Sequence, residues 1–315
     1  MKKRKQIDNG QDVTVTQISP AVVGDDRSRF ATQLPDVIPI IIEHWRQRQG
    51  WHTAEKRLTL QAGAICRRYC EGDKVQAQRL LTQIEKHECE DTNAIMATLP
   101  LLAARDTIVP QRKQLEKQLM KWVKTLPIAP WCEDIYGMGM LSLVGLVGEC
   151  GDIGSYKSVA AVWKRLGLAP FKGKACSTWR MSGGLSSDEW TEAGYNPRRC
   201  SVARNVGDAL VGGLGNGPRP LVGEDISKRE DWSPYQKLFV ERLRYEAARD
   251  PENMARPHKE KNGVELESFS KHAAARAKRY VIKRFIRELY AEWRRLSLPT
   301  TVIDLAVQRK KRKPR

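Results

Sequence analysis

The chain has 315 residues, 41% hydrophobic and 29% charged, which is enough to bury a core without disulfide staples. Its 55 Lys and Arg against 37 Asp and Glu leave a net charge of +18, with a pI near 9.7. That surplus favours a polyanionic partner. Hydropathy weakens the membrane alternative, because no apolar run nears the roughly 20 residues of a span. Val37 to Ile42, the longest candidate, is interrupted by Pro39. The opening Lys2-Lys3-Arg4-Lys5 continues polar, without the apolar segment of a signal peptide. Seven scattered cysteines do not form a disulfide framework and suit a reducing cytoplasm.

Residues 1–33 lack periodicity and read as a flexible polar arm. Residues 34–127 read as a helical domain. Ile38, Ile41, Ile42 and Trp45 form one stripe, and Ala54, Leu58, Ala62, Ile65, Cys66 and Tyr69 a longer one. Gly72-Asp73 ends that helix and caps the next, whose inward residues are predicted to be Val75, Ala77, Leu80, Leu81 and Ile84. A further helix is expected to start with Pro110 in its first turn and to run through Leu115, Leu119, Trp122 and Val123. Leu126 to Pro130 breaks it and marks a domain boundary.

Residues 128–220 are glycine-rich, with short apolar runs between turn signals, and Val211 to Pro220 reads as a loop. Residues 221–298 continue the same domain. Ser233-Pro234 opens a helix that runs to Arg249, a polar loop spans Asp250 to Gly263, and a last helix covers about 267–297. The apolar face of that helix is Ala273, Ala277, Tyr280, Val281, Phe285, Leu289 and Trp293. Residues 299–315 form a basic tail. No βαβ alternation is evident, so the fold class is mainly α.

The charge is unevenly placed. Residues 271–315 carry fifteen Lys and Arg against Glu288, Glu292 and Asp304, a surplus of twelve, and the first five residues add four. Of the +18, only +2 is left to residues 6–270. Tail cations cannot bury, so they stay solvated or meet phosphate. Inside the body, no acid lies between Gly154 and Met181, so Lys157, Lys164, Arg165, Lys172, Lys174 and Arg180 form an unopposed basic segment suited to phosphate contacts.

That segment follows Ile135-Tyr-Gly-Met-Gly-Met-Leu-Ser. Gly137 and Gly139 let the backbone turn with positive φ and let amides approach a phosphate with no Cβ in the way. The pattern resembles a helix-hairpin-helix, a sequence-independent reader of the DNA backbone. With Gly151-Asp152, Lys157-Ser158 and Gly167-Leu168-Ala169-Pro170, the chain resembles the C-terminal domain of DEDD-type insertion-element transposases (insertion-sequence family 110). Gly194-Tyr-Asn-Pro-Arg-Arg, leading to Arg204, looks like the family's Gly-Asn-x-x-Arg helix, and Ala274 to Tyr280 like its terminal helix. The resemblance covers roughly 115–297. It implies a bacterial, cytoplasmic, nucleoid-associated protein of a mobile element or prophage that binds DNA, alone or with a guide-like RNA, and allows a homo-oligomer. The DNA-binding residues it points to are Gly137, Gly139, the basic segment, Arg198, Arg199, Arg204, Lys278 and Arg279.

The resemblance has two departures. Residues 34–126 carry no strand for the family's RNase H-like metal site, so no metal ligand is carried over; Mg2+ enters only if a partner supplies the carboxylates. The family's nucleophilic serine falls on Ala175 without gaps and on Cys176 with a shift anchored at Trp179, which leaves Ser177 as the nearest serine. Two readings therefore stay open: a strand-transfer enzyme that uses Ser177, or a non-catalytic accessory or architectural DNA-binding protein. Glu149 with Asp152 could form an acid pair or cap a helix, and Cys66, Cys70, His87 and Cys89 fit structural cysteines better than a zinc site. Trp179 and Trp190 are stacking platforms or, better, core.

Overall fold

The computed structural model describes residues 30–172, 174–175, 186–212, 219–261 and 263–297. Helix α1, Phe30–Tyr69, runs for 40 residues, which is about 60 Å at 1.5 Å per residue. It continues through Pro39, where Ile38 and Ile41 on either side bury in the core and hold the backbone helical. Helix α2, Lys74–Glu85, begins at Asp73, whose carboxylate accepts from the Val75 and Gln76 amides as expected. Its buried face is Ala77, Leu81 and Ile84, with Leu80 half-buried. Val75 is a correction: it is 63% exposed, since as the second residue of α2 it sits a half-turn away from Ala77. Tyr69 also faces outward, its hydroxyl donating to the Asn93 carbonyl.

Helix α3, Thr92–Val123, starts at the Asp91 cap and carries Pro110 in its interior. The expected start at Pro110 is therefore wrong. Leu102 before it and Leu115 after it are anchored in two different cores, so the helix bridges the proline. Ion pairs Arg48–Glu116 and Glu55–Arg112 set α1 and α3 antiparallel, as a long helical pair. At its tip Ala62, Cys66, Ala77, Leu81, Ile84, Ala94 and Leu102 make a small separate core with α2. At its root Ile38, Ile41, Trp45, Leu115, Leu119 and Val123 join the main core, which runs across residue 127 and on to Trp293. The charged layer between the cores is internally paired, and Glu116 accepts from both Arg48 and Arg112.

Helices α4 (Ala129–Glu133) and α5 (Met140–Cys150) follow, and α5 lies at the centre of the main core with Leu143, Val144, Leu146 and Val147 fully enclosed. Gly148 lets the Trp45 indole lie on α5: a Cβ there would stand 2.3 Å from the indole Cγ. The same indole donates Nε1–H to Glu149 at 2.9 Å. Helix α6 (Val159–Arg165) is capped by Ser158, and a two-residue hairpin pairs β1 (Pro170–Phe171) with β2 (Lys174–Ala175). Helices α7 (Ser187–Ala193) and α8 (Pro197–Leu210) come next, α8 capped by Asn196, which accepts from the Arg198 and Arg199 amides. The loop read over 211–220 lies outside the described residues at 213–218.

Helix α9, Pro234–Arg249, opens with a full capping box between Ser233 and Gln236. The stretch read as a polar loop is not one. It forms a short helix α10 (Pro251–Met254) and an antiparallel hairpin of β3 (Ala255–Lys261) and β4 (Val264–Phe269). Pro220 to Val222 adds to the far edge of β4, the Val222 amide donating to Glu265 and the Glu267 amide to Pro220. The last helix, α11, therefore begins at Lys271 rather than 267, because residues to Phe269 are held by the hairpin. It spans Lys271–Ser297, and its apolar stripe is buried except for Tyr280, which is exposed. The described residues are mainly helical, as expected, and none of their helices is long and apolar enough to cross a membrane.

Candidate nucleic-acid interface

The glycine turn lies between α4 and α5, and its two glycines do different work. Gly137 has φ +81°, and a Cβ there would stand 2.2 Å from the Ala209 carbonyl oxygen. Its close approach is thus to the last turn of α8, inside the protein. Gly139, the residue before α5, has φ −72° and open space around it. Of the two, only Gly139 has the open approach that a phosphate needs.

The described members of the basic segment differ in their surroundings. Lys157 and Lys164 are exposed. Arg165 turns inward and donates Nε–H to the Glu149 carbonyl at 2.9 Å. Lys172, at φ +47°, forms an ion pair with Glu189 of α7. Lys172 is thus unopposed along the chain but opposed in space. The backbone of Lys174 pairs with Phe171; Arg180, Ser177, Cys176 and Trp179 lie outside the described residues, as does the side chain of Trp190.

Arg199 also turns inward, toward Glu149 at 3.6 Å. Burial, and then the neighbouring Arg165, push its guanidinium below the ordinary value. Glu149 therefore serves Trp45, Arg199 and the Arg165 backbone contact, and Asp152 caps a 3-10 turn by accepting from the Gly154 amide at 2.9 Å. Cys66 is enclosed in the tip core, where burial raises its thiol above the ordinary value. Among the described residues no group of three or more His, Cys, Asp or Glu is arranged to hold a metal ion.

Three expected residues do converge. Helical spacing puts Cys200, Arg204 and Asp208 on one face of α8, and Ala275, Lys278, Arg279 and Ile282 on one face of α11. The two faces line a groove of about 290 Å3, to which Leu168 of the Gly-Leu-Ala-Pro turn also contributes. Lys278 crosses it to Asp208 at 2.5 Å, while Arg204 is exposed at its mouth. Cation crowding is legible one turn along, where burial and then Arg279 push the Lys283 ammonium below its usual range. No protein-family model, curated protein or solved structure matches the chain.

Sequence reasoning missed two further basic surfaces. Arg198 lies outside the α8–α11 groove and lines, with Arg57 and the Glu43-paired Arg46 of α1, a cavity of about 590 Å3 that Gln49 and Thr53 also line. A cleft of about 600 Å3 under the β3–β4 hairpin carries Arg219, Arg256, Lys259 and Lys271, and shares Lys278 with the groove. Asn262-Gly263 between two extended runs was the available signal for that hairpin.

Proposed function

We propose that the chain is a DNA-binding protein of transposase lineage, from a mobile element or prophage, which grips the phosphate backbone at the α8–α11 groove. The observation that carries this reading is the convergence of Arg204 and Arg279, from separated motifs, on one groove beside the Lys278–Asp208 pair. Guanidinium and ammonium groups held on rigid helices neutralise phosphates and release counterions. Gly139 with the first turn of α5, and exposed Lys157 and Lys164, extend the backbone contacts in this reading.

The reading predicts that Arg204→Gln with Arg279→Gln weakens duplex binding and reduces the salt slope of log K by roughly 0.9 per lost phosphate contact. Unchanged affinity and slope would remove the groove from the interface. Between the two forms of the reading, the described acids favour the accessory one: Glu149 and Asp152 are both engaged in holding the fold. The strand-transfer form requires a covalent protein–DNA adduct that Ser177→Ala abolishes. An adduct trapped with element ends and lost in that variant would reinstate catalysis.

A further inference from the structure

The cleft under the β3–β4 hairpin differs in chemistry from the groove beside it. Its floor is apolar: Phe239 and Leu243 of α9 are buried, and Phe269 at the end of β4 is half-buried against the main core. Its rim is cationic. Arg219, Arg256, Lys259 and Lys271 are exposed and form no ion pair with another described residue. Its single carboxylate, Glu267, is held by Arg244 at 3.0 Å.

A cationic rim selects phosphate, but an aromatic floor gains nothing from phosphate or sugar. Duplex DNA keeps its base faces inside the stack and offers such a cleft only its backbone. A single strand offers both within one nucleotide, a flat π face and a flanking phosphate. The volume of about 600 Å3 falls within the range of small-ligand pockets. We propose that this cleft holds an unpaired nucleotide of a nucleic-acid strand, its base against Phe269 and its phosphates on Arg256, Lys259 and Lys271. The inference rests on the nucleic-acid reading above and adds the strand state to it.

The test uses the full chain and fluorescence anisotropy with three probes: a short oligothymidylate, the matching oligouridylate, and a duplex. Phe269→Ala is expected to weaken single-strand binding by roughly 5- to 150-fold, the usual range for losing one stacked base. Duplex affinity should stay at the wild-type value. Phe269→Leu keeps the apolar fill if the alanine variant fails to fold, and should act in the same direction. A 2-aminopurine placed in the oligothymidylate should be quenched by the wild type and not by the leucine variant. The deoxy and ribo arms show which strand is preferred, since only RNA offers a 2′-hydroxyl. Folded variants that bind single strands as the wild type does, or that lose single-strand and duplex affinity by one factor, would overturn the proposal. Wild-type binding to the duplex with no Phe269-dependent single-strand affinity sinks this inference alone. Absence of salt-dependent binding to all three probes sinks the nucleic-acid reading with it.

Discussion

Substituting Gly137 with alanine separates a packing glycine from a ligand-facing one. The new Cβ would stand 2.2 Å from the Ala209 carbonyl oxygen, 2.7 Å from its carbon and 3.0 Å from the Leu210 Cα. A carbon–oxygen contact needs about 3.3 Å, so the turn and α8 must part by about 1 Å. All three neighbours are backbone, so no side chain can rotate to relieve the overlap. Overpacking of that kind costs about 1–3 kcal/mol, and the φ of +81° adds roughly 1–2 kcal/mol for a residue with a Cβ. The narrower unfolded ensemble returns about 0.4–1 kcal/mol. The net loss is about 2–4 kcal/mol, or a melting point roughly 4–16 °C lower at the scaling for large domains. Gly139→Ala meets no neighbour and keeps a negative φ, so it should melt with the wild type. Thermal denaturation followed by circular dichroism reads both. A Gly137→Ala protein that melts with the wild type yet loses DNA affinity would refute the packing argument and return Gly137 to the ligand-facing role.

Burial works against the charge on Glu246, but hydrogen bonds from Arg276 and Arg242 outweigh it and hold the carboxyl below its ordinary 4.5. Its contribution is present above that ordinary value and is lost as pH falls through the lowered one. Glu246→Gln should therefore cost roughly 2–3 kcal/mol at neutral pH, less than a fully enclosed pair because both arginines are partly exposed. Denaturant melts across the acid range should show that gap closing, and a constant gap would dismiss the linkage. Burial pushes the Cys132 and Cys150 thiols up to about 12, so peptide mapping after mild alkylation of native protein should find Cys70 and Cys89 labelled ahead of them. Early labelling of Cys132 or Cys150 would contradict their enclosure. Because Lys172 is matched by Glu189, Lys172→Gln should leave the salt slope of DNA binding unchanged. A slope lower by about 0.9 would restore Lys172 as a phosphate contact.

What was legible in the sequence was local. The Asp73 and Ser233 caps each bond within three residues, so sequence spacing alone specifies them. The α11 stripe is equally local, except that Tyr280 ends up exposed beside Arg242, whose guanidinium lies 4.8 Å from its ring. Pro110 misled because proline at a helix start and proline inside a helix look alike until the anchors on both sides are known. The hairpin at 255–269 was hidden by its charge. Lys259, Glu260 and Lys261 leave no apolar alternation to read on β3, and only the intervening Asn262-Gly263 marks the turn. The pairing of Lys172 with Glu189 has no local signature, since α7 comes back to it only in three dimensions.

The candidate site shows the same division. Helical spacing alone puts Arg204 with Asp208, and Lys271 with Lys278, on common faces, but which faces meet is fixed by the buried residues between them. Val202, Ala203, Val206 and Leu210 sink one side of α8, while Ala273, Ala277, Val281 and Phe285 sink one side of α11, and the polar flanks are brought together as a consequence. Charge tallies mislead for a related reason. Arg276, Lys278, Arg284 and Arg295 of α11 are each matched by a carboxylate: Glu246, Asp208, Glu288 and Glu292. Much of the helix's surplus is therefore internal to the fold, and the described cations without a carboxylate partner include Arg204 at the groove, Lys157, Lys164 and a group around the first turns of α11. There Lys271, Arg256, Lys259 and Arg219 stand without carboxylate partners among the described residues. These residues come from a linker, a hairpin and a helix start, the parts of the chain with the least periodic sequence, so a reading by periodicity passes over them. A field built from such segments can be located only after the hairpin has folded onto α9 and α11.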